Sequence, residues 1–249
     1  MMKKISFFTL LLFLFSMSAF SADVVAPSIN ITMPTANNPT TIAESIKLLI
    51  LLTVLALAPS ILIMMTSFTR IIIVLAILRQ ALGTQQMPPN QILIGIALFL
   101  TLFIMSPQIN TIYKTAYLPL QKNEITLEGA YKNATKPLKT FMLKQTRQKD
   151  LALFLRIAKK PNPKNPQELS MDIVIPAFII SELKTAFEMG FIIYIPFLII
   201  DMVVSSILMS MGMMMLPPIM ISLPFKLLIF VLADGWNLVV MSLFKSFMR

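Results

Sequence analysis

The run GFIIYIPFLIIDMVVSSILMSMGMMMLPP, residues 190–218, carries one charged side chain, Asp201, in 29 positions. Large apolar residues fall on every face of a helix drawn through it, so the segment has no side to turn toward water. From Gly190 to Met215 a helix would be about 39 Å long at 1.5 Å per residue, more than the ~30 Å hydrocarbon core of a bilayer. Pro217 and Pro218 stop it. In hydrocarbon only helices or closed barrels satisfy the backbone, and no stretch of this chain alternates as strands do. The expected fold is an all-α integral membrane protein of kinked hydrophobic helices and helical hairpins, with a helical extracytoplasmic domain.

The composition agrees. Hydrophobic residues make up 57% of the 249 and charged residues 13%, against roughly 45–50% and about 25% in soluble domains. There is no cysteine and no histidine. That removes disulfides, thiolate nucleophiles, imidazole bases and His- or Cys-ligated metal sites. The six glycines form no phosphate-cradling motif. An enzyme is not expected, and neither is a cofactor or metal. The net charge of +10 is concentrated, with 13 of the 21 Lys and Arg between residues 107 and 185. No aromatic residues alternate with them as a nucleic-acid stacking platform would require. The charge reads as the solvated surface of one polar domain with affinity for membrane lipid, not as a nucleic-acid site.

Working outward, residues 222–247 form another hydrophobic segment with Pro224 near its start, and 171–189 is intermediate in character. On the N-terminal side, 42–82 is almost continuously apolar. A straight helix of that length would be twice as long as a bilayer is thick, and Arg70 lies within it. Either one helix ends near Ser67 and a second folds back, or the segment is not embedded in ordinary bilayer; Pro59 is expected to kink it. GTQQMPPN (83–90) is a loop with Asn90 placed to cap the next helix, and 92–105 is apolar up to Pro107. Residues 134–157 offer an amphipathic stripe of Leu138, Phe141, Met142, Leu151, Phe154 and Leu155. At the N-terminus, Lys3 and Lys4, the apolar run Ile5–Phe15 and Ala19-Phe20-Ser21 read as a signal peptide. The organisation expected is a signal peptide (1–21), an extracytoplasmic leader (22–41), N-terminal hydrophobic helices (42–107), a polar periplasmic domain (108–180) and C-terminal hydrophobic helices (181–249). A cleaved signal peptide with four hydrophobic regions places the C-terminus outside; Lys245 and Arg249 argue for the opposite.

Two sets of residues carry information beyond the fold. Met209, Met211, Met213, Met214 and Met215 fall within seven positions around Gly212. Thioether side chains are deformable and can re-pack around variable surfaces, so this cluster reads either as a seal in a pore or as lipid-facing helix filler. The second set is the charges in apolar segments: Arg70, Glu182, Lys184, Glu188, Asp201, Lys226 and Asp234. A charge near the bilayer centre costs roughly 2.5–3.5 kcal/mol, so each needs a partner. Ion pairing between helices or subunits is the simpler reading. A proton relay through Glu188, Asp201 and Asp234, as in a proton-coupled transporter of a small solute, is the sharper one. Lys226 and Asp234 fall on one side of a continuous helix, with Phe230 between them.

The stretches ALAPSILIMMTSFTRIIIVLAILRQALGTQQMPPNQILIGIALFLT (56–101) and SELKTAFEMGFIIYIPFLIIDMVVSSILMSMGMMMLPPIMISLPFKLLIFVLADGWNL (181–238) resemble the FliP family of type III export gates. LRQALGTQQ-PPNQ and MGMMMLPP are the most specific motifs, and the signal peptide favours the flagellar branch over an injectisome homologue. The resemblance implies a homo-oligomeric ring, a pentamer, joined by FliQ and FliR. It implies FliO as an assembly factor and FlhA and FlhB as neighbours in the inner-membrane part of the flagellar basal body. It implies that unfolded flagellar proteins pass through the centre, and that Met209, Met211, Met213, Met214 and Met215 form a gasket. It also makes Glu182 and Lys226 candidates for an ion pair, with Arg70, Asp201 and Asp234 as further assembly charges.

Overall fold

A computed structural model of the protein describes residues 39–161, 163, 165–213 and 216–248. The signal peptide, most of the expected leader, and Met214 and Met215 lie outside the described residues. The chain divides into two compact units, residues 1–54 and 55–249. Of the first, the described residues 39–54 are helical, the leading part of α1 (Pro39–Met65).

The second unit holds the rest of α1 and eight further α-helices: α2 (Phe68–Leu82), α3 (Asn90–Ile112), α4 (Leu118–Gln121), α5 (Leu127–Gln145), α6 (Gln148–Ile157), α7 (Met171–Ser210), α8 (Pro218–Leu232) and α9 (Gly235–Phe247). No strand occurs among the described residues. The protein is an all-α membrane protein. Asn90–Gln121 and Met171–Ser210 are each long and apolar enough to cross a membrane. Up to four crossings result if the bent pairs α1–α2 and α8–α9 are each one span.

The core is built on α2. Ile71, Val74, Leu75 and Leu78 repeat at helical spacing and are fully buried. They belong to one cluster with Val174 and Phe178 of α7, Leu93 of α3 and Leu243 of α9. Close approach of α2 and α7 depends on Gly190: a Cβ there would stand 2.3 Å from Ile77 Cδ1 and 3.0 Å from its Cγ2. Outside this cluster the helices keep large apolar side chains exposed, among them Phe99, Phe103, Phe191, Ile192, Val231 and Leu232. Contiguous apolar exposure on this scale calls for lipid or for other chains.

The break anticipated near Ser67 is there. Thr66 and Ser67 separate α1 from α2, and the axis turns by 80°. The Thr69 hydroxyl donates to the Ile63 carbonyl at 2.6 Å, satisfying one of the carbonyls the ending helix leaves without a partner. Pro59 lies inside α1. Gly83, at φ 76°, ends α2 in the left-handed conformation that glycine alone adopts without cost. Asn90 is the first residue of α3 and not its cap; its Oδ1 accepts from Arg79 Nη1 at 2.7 Å.

Other boundaries differ from expectation. Pro107 does not end α3, which runs to Ile112 and continues through a π-helical turn, Tyr113–Tyr117, into α4. A proline removes only its own donor, and an inserted residue accommodated as a π turn lets the helix go on. The stripe at 134–157 is two helices. Thr146 and Arg147 are extended, and the Arg147 amide donates to Ser181 Oγ at 3.1 Å instead of to a helical carbonyl. Residues 171–189 and 190–210 form one helix, α7, through Pro176 and Pro196. The last hydrophobic segment breaks at Ala233–Asp234 with a 64° bend. Asp234 adopts φ 49°, and the Phe230 ring tucks against Gly235, where a Cβ would meet it at 2.2 Å. Phe230 is thereby buried between Phe197 and Trp236, ring centroids 6.3 and 5.5 Å away.

Candidate functional site

Charge buried in an apolar segment is stable only when paired and hydrogen-bonded. Arg70, on the first turn of α2, is 2% exposed. Its Nε donates to Glu182 Oε2 at 2.9 Å and its Nη2 to Glu182 Oε1, a two-pronged bond to a carboxylate that is 0% exposed. Nη2 also donates to Gln145 Oε1 at 3.1 Å, and Nη1 to Ser246 Oγ at 2.9 Å and the Ser246 carbonyl at 3.2 Å. The guanidinium carbon lies 3.8 Å from the centre of the Phe247 ring. Gln145 Nε2 donates to the Phe247 carbonyl at 3.2 Å. One arginine thus fastens α2 to α5, α7 and the last turn of α9.

A second ion pair, between buried Lys226 and partly exposed Asp201, lies at the other end of α2. Lys226 Nζ on α8 donates to Asp201 Oδ2 on α7 at 2.6 Å and to the Ala81 carbonyl at 3.0 Å. Ser222 Oγ donates to Asp201 Oδ1 at 2.6 Å. Lys226 therefore satisfies a carbonyl at the negative end of α2 while it neutralises Asp201.

Glu182 and Lys226, expected to pair, have different partners within the chain. Nineteen residues of α7 separate Glu182 from Asp201, about 28 Å along the axis; Arg70 meets the first and Lys226 the second. Asp234 does not line up with Lys226, because the helix breaks before it. It is exposed and makes no ion pair among the described residues. Glu188 pairs with Lys184 at 3.2 Å on the surface of α7. Glu188, Asp201 and Asp234 are not brought together, and the described residues contain no group of three or more carboxylates close enough to share a metal ion.

The methionine run begins where α7 ends. Gly212 N–H donates to the Met209 carbonyl at 3.1 Å and Met213 N–H to Leu208 at 3.0 Å, with Gly212 at φ 73°. This is the glycine-terminated helix end of the Schellman type. Met209 is 61% exposed, Met211 60% and Met213 47%. Leu216 is also exposed, and Pro218 starts α8. Both flanks of the loop are anchored by the Asp201–Ser222–Lys226 cluster, which closes the α7–α8 hairpin below it. A wholly apolar cavity of about 390 Å³ lies along the hairpin, lined by Val203, Ile207, Met211 and Phe225 among others. The result is a base held by side-chain hydrogen bonds, with Met209, Met211 and Met213 exposed beyond it.

Sequence reading did not single out Gln145, Ser222, Ser246 or the Ser181–Asp150 contact. Nothing local marks them, since each matters only through a partner between 21 and 176 positions away. Asp150 accepts from Ser181 Oγ at 2.5 Å and from Arg147 Nε at 2.8 Å. Burial opposes its charge, but the Ser181 hydroxyl and the Arg147 guanidinium outweigh it and hold the carboxyl below its usual range.

The FliP family model matches residues 51–243 of the chain. The flagellar biosynthetic protein FliP of Bacillus subtilis (strain 168) is 60% identical over 212 residues, covering 85% of this chain and 96% of the relative. That of Pectobacterium carotovorum subsp. carotovorum is 54% identical over 217 residues, 87% and 84% of the two chains. That of Aquifex aeolicus (strain VF5) is 56% identical over 208 residues, 83% and 87%. The matched region contains both of these ion pairs and the whole methionine run.

Proposed function

The chain belongs to the FliP family, and from that premise we propose that it is a pore-forming subunit of the flagellar type III protein export gate. Several copies, five by family resemblance, close a ring with FliQ and FliR, assembled with the help of FliO and working beside FlhA and FlhB. The ring sits in the bacterial inner membrane within the flagellar basal body, with a portion facing the periplasm. Unfolded flagellar proteins cross through its centre.

The observation that supports this reading best is the exposure of Met209, Met211 and Met213 at the end of a hairpin whose base is pinned by the Lys226–Asp201 ion pair. Large apolar side chains uncovered within one chain can be covered by the same residues of neighbouring copies. Thioethers from several copies meeting at an axis exclude water and ions, and they yield to a polypeptide of any sequence because they re-pack at little cost. Gating is passive: the arriving chain displaces the methionines, and they close behind it. The drive comes from elsewhere in the machine.

Native mass spectrometry after co-expression with FliQ and FliR tests the proposal. A discrete complex containing several copies of this chain and both small partners is expected. A monomer or simple dimer that never retains the partners, in several mild detergents, would overturn it.

A further inference from the structure

The start of α6 and the part of α7 around Lys184 bring together Arg147, Lys149 and Lys184 with the carboxylates Asp150 and Glu188, while Glu182 is taken by Arg70 of α2 and Asp172 by Lys160. Arg147 binds Asp150 through Nε and Nη2, at 2.8 and 2.7 Å, while its Nη1 is buried with no partner. Lys149 lies two residues after Arg147, whose amide donates to Ser181 Oγ of α7 at 3.1 Å, about one helical turn before Lys184, and the hydrogen bonding and like charge of Lys184 push the Lys149 ammonium below its usual range. Lys184 also reaches Glu188 at 3.2 Å. Three cations face two carboxylates here, and both lysines are open to solvent.

The same cations head an apolar strip. A cavity of about 750 Å³ is lined by Ile77, Lys184, Phe187, Glu188, Phe191 and Tyr194, and the Phe187 and Phe191 rings are exposed, one helical turn apart. From Met189 to Ser210, α7 continues for 22 residues, about 33 Å, close to the thickness of a hydrocarbon core. Its one charge in that stretch, Asp201, is paired with Lys226. A hydrocarbon layer spanning residues 189–210 would leave Lys184 and Lys149 at the level of the headgroups.

We propose that this cluster is a binding site for an anionic glycerophospholipid, with the phosphate between Lys149 and Lys184 and an acyl chain along Phe187 and Phe191. Arg147 adds to the positive field. A soluble anion would leave the aromatic strip uncovered, and a zwitterionic lipid would bring its own cation against the lysines. Basic pockets at the ends of membrane helices bind anionic headgroups on the same terms.

The test uses the full chain, stripped of lipid in mild detergent and titrated with phosphatidylglycerol, phosphatidylcholine or inorganic phosphate while bound species are counted by native mass spectrometry. One tightly held phosphatidylglycerol is expected, with phosphatidylcholine at least about tenfold weaker and no competition from phosphate. Lys149→Gln with Lys184→Gln should lower phosphatidylglycerol affinity roughly 25-fold, about fivefold for each lysine. Lys122→Gln with Lys132→Gln, an equal change in net charge elsewhere, should leave it unchanged. Equal binding of the two lipids, equal loss in both double variants, or displacement by phosphate alone would overturn the proposal. So would a change of oligomeric state with lipid occupancy unaltered, which would assign the lysines to an acidic group of a neighbouring copy.

Discussion

Replacing Arg70 by alanine removes the cation from a carboxylate that has no other. Glu182 is 0% exposed, and both its oxygens accept from Arg70 alone among the hydrogen bonds of the described residues. Breaking a buried pair from one side costs about 3–5 kcal/mol, because the remaining charge is left in low dielectric without compensation. The loss of the Ser246 and Gln145 bonds acts in the same direction, so the upper part of that range is expected. At about 4 kcal/mol the folded-to-unfolded ratio falls by nearly a thousandfold, since each 1.4 kcal/mol is a factor of ten. Arg70→Met with Glu182→Leu removes both charges and roughly keeps volume, and should recover most of the loss. Arg70→Lys keeps the charge but not the fork, and should fall between. The assay is thermal unfolding in mild detergent, followed by helical signal, with protease resistance of the C-terminal helix as a local probe. If Arg70→Ala unfolds within a degree or two of the parent, or the apolar double variant is no better than Arg70→Ala, the joint does not work as described.

Three further outcomes follow from the geometry. A double-mutant cycle should give a coupling above about 1 kcal/mol for Lys226 with Asp201 and below about 0.5 kcal/mol for Lys226 with Glu182; the reverse order, measured by unfolding, would contradict the pairing. Gly190→Ala and Gly235→Ala should each destabilise by about 1–3 kcal/mol through overpacking against Ile77 and Phe230, whereas Gly95→Ala, with open space around it, should not, as melting temperatures would register. Asp150 has a carboxyl held below its unfolded range, so its stabilising effect is complete above about pH 4, the unfolded value, and is lost as pH falls through the lower folded value. Ser181→Ala should move that loss to higher pH, and stability-versus-pH curves that coincide for the two proteins would exclude the contact as its cause.

The helices were legible where a single residue carries the signal. Arg70 inside an apolar run pointed either to a break near Ser67 or to a segment outside ordinary bilayer, and the chain turns at Thr66–Ser67. Gly83 marks an end that helical geometry enforces locally, whereas α7 stops at Ser210 with Gly212 in the left-handed conformation, short of the stop expected at Pro217, which instead precedes the first residue of α8. The stripe from Leu138 to Leu155 places Phe141, Met142 and Leu155 in the core, although the two halves are separate helices. Proline was the misleading residue at Pro107, which lies inside α3, because a proline in a helix removes only its own donor. The end of α8 before Asp234-Gly235 was not expected, although that dipeptide is a turn signal; burial of Phe230 against Gly235 goes with the bend. Of the charges in apolar segments, burial could be anticipated for Arg70, Glu182 and Lys226, whereas Lys184, Glu188 and Asp234 are exposed. The partners of the buried charges could not be anticipated, because pairing depends on the level each residue occupies along α7, and that is fixed only when α2 and α8 pack against it. The exposed thioethers of the methionine run were legible as a cluster, while their anchoring through Ser222 and the Ala81 carbonyl was not.

The most direct measurement is ion conductance of the assembled complex in a planar bilayer, with Met209, Met211, Met213, Met214 and Met215 all replaced by alanine. Alanine removes the thioethers without adding charge or breaking the helix end at Gly212. A complex that still assembles but leaks ions in the absence of substrate is the result predicted. Conductance and secretion both unchanged from the parent would contradict the gasket, leaving the methionines as apolar surface and the hairpin as scaffold.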